Sequence, residues 1–168
     1  VEDMGPVELA SSSFGQTNKV TPIQMITAYA AAVNGGYLVT PYVVDKIVDE
    51  NGTVVKSVEP NVRRQVISEE TSAYMRTVLE SVVNNNGGGN SYIQGYRIGG
   101  KSGTSAKQDE NLAENRDDLY VSSYVGFAPA DDPEIIMLVM VDRPTGADYY
   151  GSVVASPVVT NTFKDALP

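Results

Sequence analysis

Hydrophobic positions along this chain switch between helical spacing and continuous, strand-like runs. Thr21-Pro22-Ile23-Gln24 combines an N-cap, a proline in the first turn and a capping-box glutamine, so a helix is predicted from Thr21 until Asn34-Gly35-Gly36 stops it. Ile23, Ile26, Ala30 and Val33 form one stripe, with Tyr29 on its flank, which predicts packing against a sheet. Tyr37 to Val48 favours strand, and Asp49-Glu50-Asn51-Gly52 before Thr53-Val54-Val55 is a hairpin turn signal. Ser68-Glu69-Glu70 opens a second helix with acids in its first turn, and Met75, Leu79 and Val82 share one of its faces. The run from Asn84 to Ser91 reads as a flexible connection, although its glycines could instead form an anion-binding nest.

The second half reads as sheet with a closing helix. Tyr96 to Ala106 is expected as one strand, and Tyr120 to Ala128 and Ile135 to Val141 as a meander beside it, turning at Pro129-Ala130-Asp131-Asp132-Pro133. The unbroken apolar character of the meander strands implies burial. Between them, Lys107 to Asp118 is almost wholly polar and carries no 3.6-residue period, so it is expected as a surface loop. Asp142 and Arg143 are expected as a surface pair. A last helix runs from Ser152 or Ser156 to Ala166, with Val158, Phe163 and Leu167 available to cover the sheet.

Chemistry concentrates in Gly99-Gly100-Lys101-Ser102-Gly103-Thr104-Ser105, where an ammonium and three hydroxyls stand among glycines that let another backbone approach. Such a surface suits a peptide carboxylate. The same residues satisfy a phosphate-binding P-loop pattern from Gly95 to Ser102, and Ile135 to Asp142 imitates a magnesium-binding strand. A P-loop needs a buried strand before its first glycine and a helix starting at the lysine. Here an Asn/Gly run precedes the motif and no helical period follows it, so the context opposes nucleotide binding.

Composition narrows the chemistry further. The 168 residues suffice for one domain, and 42% hydrophobic content can supply a core. Twelve basic against 21 acidic side chains give a net charge of −9, which argues against nucleic acid and anionic membrane surfaces. With neither cysteine nor histidine, disulfides, cysteine nucleophiles, histidine bases and most zinc sites are removed, so no metal is expected and any base is a lysine or a carboxylate. No apolar run approaches the roughly 18 residues of a membrane span, and the start lacks a signal-peptide pattern, so an anchor is expected only outside this chain.

Read as strand, Lys101-Ser102-Gly103 resembles the Lys-Thr/Ser-Gly motif of penicillin-binding proteins and serine β-lactamases. Upstream, Ser13-Phe14-Gly15-Gln16, Val20-Thr21-Pro22-Ile23-Gln24-Met25, Ala28-Tyr29-Ala30-Ala31 and Asn34-Gly35-Gly36 are similar to the corresponding segment of high-molecular-weight, class B penicillin-binding proteins. The resemblance spans nearly the whole chain. It implies an α+β fold, an antiparallel sheet flanked by helices. Of the family's ordered motifs Ser-x-x-Lys, Ser-x-Asn and Lys-Thr/Ser-Gly, only the third is present, because no lysine has a serine three residues earlier and no asparagine has one two residues earlier. Residues 1–168 are therefore expected to be the C-terminal portion of one transpeptidase domain. Ser102 stands where threonine is commoner and keeps the hydroxyl, whereas Ala106 replaces a frequent glutamine and changes the cleft's polarity.

The resemblance implies a D,D-transpeptidase that cross-links peptidoglycan stem peptides by acyl transfer, with no cofactor, on the extracytoplasmic face of a bacterial membrane. Its partners would be the N-terminal half carrying the nucleophilic serine, the stem peptide and β-lactams. Lys101 would raise the positive potential and assist proton transfer. Ser102 and Thr104 would bind the substrate carboxylate, the Thr104 amide would donate to the oxyanion, and Gly103 and Ser105 would line the substrate strand. The plain alternative for Lys101 is a solvated strand lysine, and for the Ser-Phe-Gly-Gln turn a simple helix entry rather than a cleft wall. A penicillin-binding sensor, a carboxypeptidase or a β-lactamase would use the same residues. A chain of this kind would expose apolar faces, so solubility only with its partner bound is expected.

Overall fold

The computed structural model describes residues 4–15, 18–85 and 91–167. Helix α1, Pro6–Ser12, precedes α2, Pro22–Val33, whose entry is the anticipated capping box. The Gln24 amide donates to Thr21 Oγ1 (3.3 Å) and the Thr21 amide to Gln24 Oε1 (2.9 Å). At the exit, Gly36 has φ +90°, and a Cβ there would lie 2.0 Å from the Ile67 carbonyl oxygen, so only glycine fits this turn. The stripe is shorter than its pattern: Ala31 and Val33 are buried, but Ile23 is exposed because no described element covers the first turn of α2.

The expected strand from Tyr37 to Val48 is two strands, β1 (Tyr37–Thr40) and β2 (Lys46–Val48), parted at Pro41, which has no N–H for a ladder. Strand β2 pairs with β3, Val54–Ser57, across the predicted turn, where Asp49 Oδ1 accepts from the Asn51 and Thr53 amides, each at 2.9 Å. Strand β1 pairs instead with β4, Asn61–Gln65, a polar strand without alternation that the sequence pattern does not mark.

Helix α3, Glu69–Asn84, starts at Ser68, whose side chain accepts from the Thr71 amide at 3.1 Å. It secures the end of α2 through buried Ser72, which donates to the Ala32 carbonyl (2.9 Å) and accepts from the Gly35 amide (3.0 Å). Leu79 and Val83 are its buried apolar residues, so the face lies one position beyond the Val82 of the pattern.

Strands β5 (Gly99–Ala106), β6 (Tyr120–Ala128) and β7 (Ile135–Asp142) form an antiparallel sheet in the order β5-β6-β7, with Lys101 opposite Val125 and Thr104 opposite Ser122. One sheet face packs Tyr124 and Ala128 with Val159 and Phe163 of the C-terminal helix α6, Ser156–Ala166; a short helix, α5 (Gly151–Val154), leads into it. The other face sets Phe127 against Val33 of α2 and Leu79 of α3. Glycines 99 and 100 let β5 sit over these rings, since a Cβ would lie 2.1 Å from the Phe127 ring and 2.4 Å from the Tyr124 hydroxyl. Val158 points to solvent while Val159 takes the buried position, and β7 is only half covered, with Ile135 and Met140 exposed, because α2, α5 and α6 shield parts of it and nothing described covers the rest.

Three expectations for the second half change. The strand begins at Gly99: Tyr96-Arg97-Ile98 forms no continuous ladder and is held by the Ala130 amide donating to the Arg97 carbonyl (2.9 Å) and by the Arg97 side chain, which makes a two-pronged pair with Glu80 (2.7 Å each) and reaches Asp131 at 2.8 Å. The segment from Lys107 to Asp118 contains a helix, α4 (Gln108–Glu114), despite its polarity. Buried Asn111 closes it by exchanging hydrogen bonds with the Leu119 backbone (2.9 and 3.1 Å). Asp142 and Arg143 do not pair with each other, since Lys107 takes Asp142 (2.6 Å) while Arg143 holds Glu110 and Glu114 of α4.

The Arg97 pair makes folding sensitive to acid. The Arg97 guanidinium holds the Glu80 carboxyl below its ordinary range, and the Glu80 side chain is only 14% exposed. A carboxylate with a depressed folded-state pKa stabilises the fold above its ordinary pKa, and that contribution disappears as pH falls through the lower folded value. Glu80→Gln is therefore expected to lower the melting temperature at neutral pH and to flatten its decline below about pH 4.5. Thermal melts of both proteins from neutral to acid pH check this, and parallel curves would assign the acid sensitivity elsewhere.

Candidate active site

Strand β5 lies at the edge of its sheet among the described residues, and the chemistry-bearing residues are ranged along it. Lys101 is exposed, its Nζ donating to the Ser102 carbonyl at 2.8 Å, and among the described residues it pairs with no carboxylate. Ser102, Gly103 and Thr104 are half-exposed and Ser105 is exposed. Strand alternation puts Ser102 and Thr104 on one face and Lys101, Gly103 and Ser105 on the other. A Cβ at Gly103 would come within 2.7 Å of Ser123 Oγ, so the missing side chain keeps this part of the strand flush. Because Lys101 and Ser102 sit inside a strand and no helix begins there, the P-loop alternative is overturned.

A second segment, absent from the sequence reading, meets β5 at Thr104. The Gly151 amide donates to Thr104 Oγ1 at 3.1 Å, and two residues earlier the Tyr149 carbonyl accepts from buried Ser122 Oγ. The approach is close enough that a Cβ on Gly151 would lie 2.1 Å from the Ser123 carbonyl oxygen and 2.4 Å from that of Gly103. Beside it, Tyr120 and Tyr149 stack with ring centroids 4.2 Å apart, and Tyr150 stacks on Tyr149 at 4.5 Å. The Tyr149 hydroxyl donates to that of Tyr150. The one sequence signal for this segment is a glycine directly after two aromatic residues at a helix entry.

At the far end of β5 a groove of about 830 Å³ is lined by Phe14, Asn18, Lys19, Ser105, Lys107 and Asp109, among others. Phe14 thus shares a groove with Ser105, which places the turn after α1 on the site's side of the molecule; Gln16 lies outside the described residues. Lys19 and Asp109 form an ion pair across this groove. The arrangement offers hydroxyl donors and an ammonium that pairs with no carboxylate among the described residues, along a strand edge next to an aromatic stack. It can hold an extended peptide and its carboxylate.

Comparison with known proteins agrees with this geometry. The family described as "Penicillin binding protein transpeptidase domain" matches residues 2–164. Stage V sporulation protein D of Bacillus subtilis is 47% identical over 170 residues, covering 100% of this chain and 26% of the relative. A probable peptidoglycan D,D-transpeptidase, PenA, of Neisseria gonorrhoeae is 33% identical, covering 90% of this chain and 24% of its own length. The transpeptidase domain of penicillin-binding protein 3 from Burkholderia pseudomallei superposes with a TM-score of 0.75 at 32% identity, over 99% of this chain and 48% of that one. The chain belongs to the penicillin-binding protein transpeptidase family, and its fold is the α+β arrangement of antiparallel sheets and flanking helices found there. It spans about a quarter of the length of the curated relatives it matches. Among the described residues no helix is long and apolar enough to cross a membrane.

Proposed function

We propose that this chain is the C-terminal portion of a D,D-transpeptidase domain and forms the Lys-Ser-Gly wall of its active site. The nucleophilic serine and its base lie in residues outside this sequence, as does any membrane anchor, so that the site faces the extracytoplasmic side. The substrate is a peptidoglycan stem peptide ending in D-alanyl-D-alanine, and β-lactams enter the same site as acyl donors whose ester is hydrolysed slowly. The observation that carries the reading is the open strand edge from Lys101 to Ser105 in a chain of this family.

The chemistry then follows from the positions present. The serine oxygen attacks the carbonyl of the penultimate D-alanine, and the Thr104 amide donates to the oxyanion that forms. The peptide C–N bond breaks, the terminal D-alanine leaves as its amine with the serine's proton, and an acceptor amine later displaces the serine from the ester. Lys101 supplies positive potential and promotes the proton transfers. Ser102 and Thr104 hydroxyls hold the terminal carboxylate, while Gly103 and Ser105 let the peptide lie along β5 as an added strand.

Carboxylate recognition gives the direct test. In the full-length protein, Thr104→Val is expected to slow acylation by a penicillin by roughly tenfold, the scale of one hydrogen bond to a charged group, and to spare acylation by the same penicillin as its carboxyl methyl ester. Rates measured by stopped-flow or mass spectrometry decide this. An equal loss with acid and ester would remove Thr104 from carboxylate binding.

A further inference from the structure

Thr104 is not held by its own strand alone. Its hydroxyl oxygen accepts from the Gly151 amide at 3.1 Å, which occupies one lone pair and leaves the hydroxyl hydrogen to be donated elsewhere. Among the described residues no second partner for this hydroxyl is found. The Gly151 amide is itself fixed, because the residue is pressed onto the carbonyls of Gly103 and Ser123, where a Cβ would lie 2.4 and 2.1 Å away. The preceding turn is tied down by Ser122, fully buried on β6 directly opposite Thr104, whose Oγ donates to the Tyr149 carbonyl. Residues 149–151 thus form a strap bonded to both members of the Thr104–Ser122 cross-strand pair.

From this geometry we infer that Ser122 and Gly151 are positioning residues that fix the Thr104 hydroxyl as a hydrogen-bond donor toward the substrate's carboxylate. A free threonine hydroxyl can turn to donate to, or accept from, several neighbours. One whose oxygen already accepts from a rigid amide has its hydrogen directed away from that amide and available to an anion before the ligand arrives. Ser122 touches no ligand, being buried beneath the strap, and acts only through Tyr149, Gly151 and Thr104.

The inference rests on the proposed role of Thr104, and the experiment separates the two. Acylation of the full-length protein is measured with a penicillin and with its carboxyl methyl ester, for Ser122→Ala, Thr104→Val and the double variant. Ser122→Ala is expected to slow acylation by the acid roughly tenfold, as loss of one oriented bond to a charged group would, and to leave the ester rate unchanged. The double variant is expected to be no slower with the acid than Thr104→Val alone, since both changes remove the same contact. Ser122→Cys, of similar volume and with a weaker donor, should fall between wild type and alanine, and it carries the test if the alanine variant does not fold.

Equal slowing of acid and ester by Ser122→Ala would reduce Ser122 to a structural serine and overturn the inference. Multiplicative losses in the double variant would overturn it too, as they would mean separate contacts. If Thr104→Val itself fails to distinguish acid from ester, the carboxylate role of Thr104 falls first and the positioning role falls with it. If Thr104→Val distinguishes them and Ser122→Ala does not, the proposed function stands and only the strap's role is lost.

Discussion

Alanine at position 101 is expected to slow β-lactam acylation of the full-length protein by roughly a thousandfold while leaving its melting temperature nearly unchanged, the scale of a lost general acid–base group. The two halves of that expectation come from the same geometry. Lys101 stands exposed on an edge strand, pairs with no carboxylate among the described residues and donates only to the neighbouring Ser102 carbonyl. Removing it therefore breaks little of the fold. By contrast, Lys107 on the same stretch is bound to Asp142 (2.6 Å) and Glu110 (2.8 Å) and pins α4 to the sheet. Lys107→Ala should give the opposite pattern, a lower melting temperature with a smaller effect on acylation. If Lys101→Ala acylates as fast as wild type, Lys101 is the solvated strand lysine that its exposure also allows.

Gly151→Ala is expected to have the second large effect, lowering stability by about 3 kcal/mol, as overpacking at a rigid contact does, and slowing acylation as well. The added methyl would meet two backbone carbonyl oxygens, of Ser123 at 2.1 Å and Gly103 at 2.4 Å, and neither can retreat without opening the β5–β6 ladder. Either the strap lifts and Thr104 loses its partner, or the strands part at Gly103 and Ser123. Denaturant unfolding and acylation rates measured together check this, and a wild-type value for both would mean that the strap does not sit as described. Gly15, where a Cβ would meet nothing within 4 Å but φ is +84°, supplies a comparison in which strain arises without a clash.

Much of this architecture was legible because its signals are local. The α2 entry needs only Thr21, Pro22 and Gln24, the β2–β3 turn only Asp49 to Gly52, and the apolar runs of β6 and the first turn of α3 announce themselves within a few residues. The failures share the opposite property. Helix α4 has no apolar period and is tied to the sheet by pairs distant in sequence, Lys107 with Asp142 and Arg143 with Glu110, so its polar sequence reads as loop. Tyr96 to Ile98 has strand-like residues, but Arg97 is tied by its side chain to Glu80, 17 positions earlier, and by its carbonyl to the Ala130 amide. Strand β4 is recognisable only through β1.

The site divides in the same way. Lys101 to Ser105 could be singled out because a lysine, hydroxyls and glycines stand together on one strand. The strap could not, because Gly151 meets Thr104 across 47 positions and Ser122 meets Tyr149 across 27. Nothing in the immediate neighbourhood of a buried serine marks it as the anchor of a turn so far along the chain. The aromatic stack of Tyr120, Tyr149 and Tyr150 is hidden for that reason too.

The measurement that bears most directly on the central claim is the mass of the full-length protein after incubation with a penicillin, followed by peptide mapping of the adduct. The account predicts a single penicilloyl group on a serine outside the sequence of this chain, formed at a rate that collapses in Lys101→Ala. An adduct on any residue from Val1 to Pro168, or one formed outside it at an unchanged rate without Lys101, would contradict the claim that this chain is the Lys-Ser-Gly wall of a serine-acylated site.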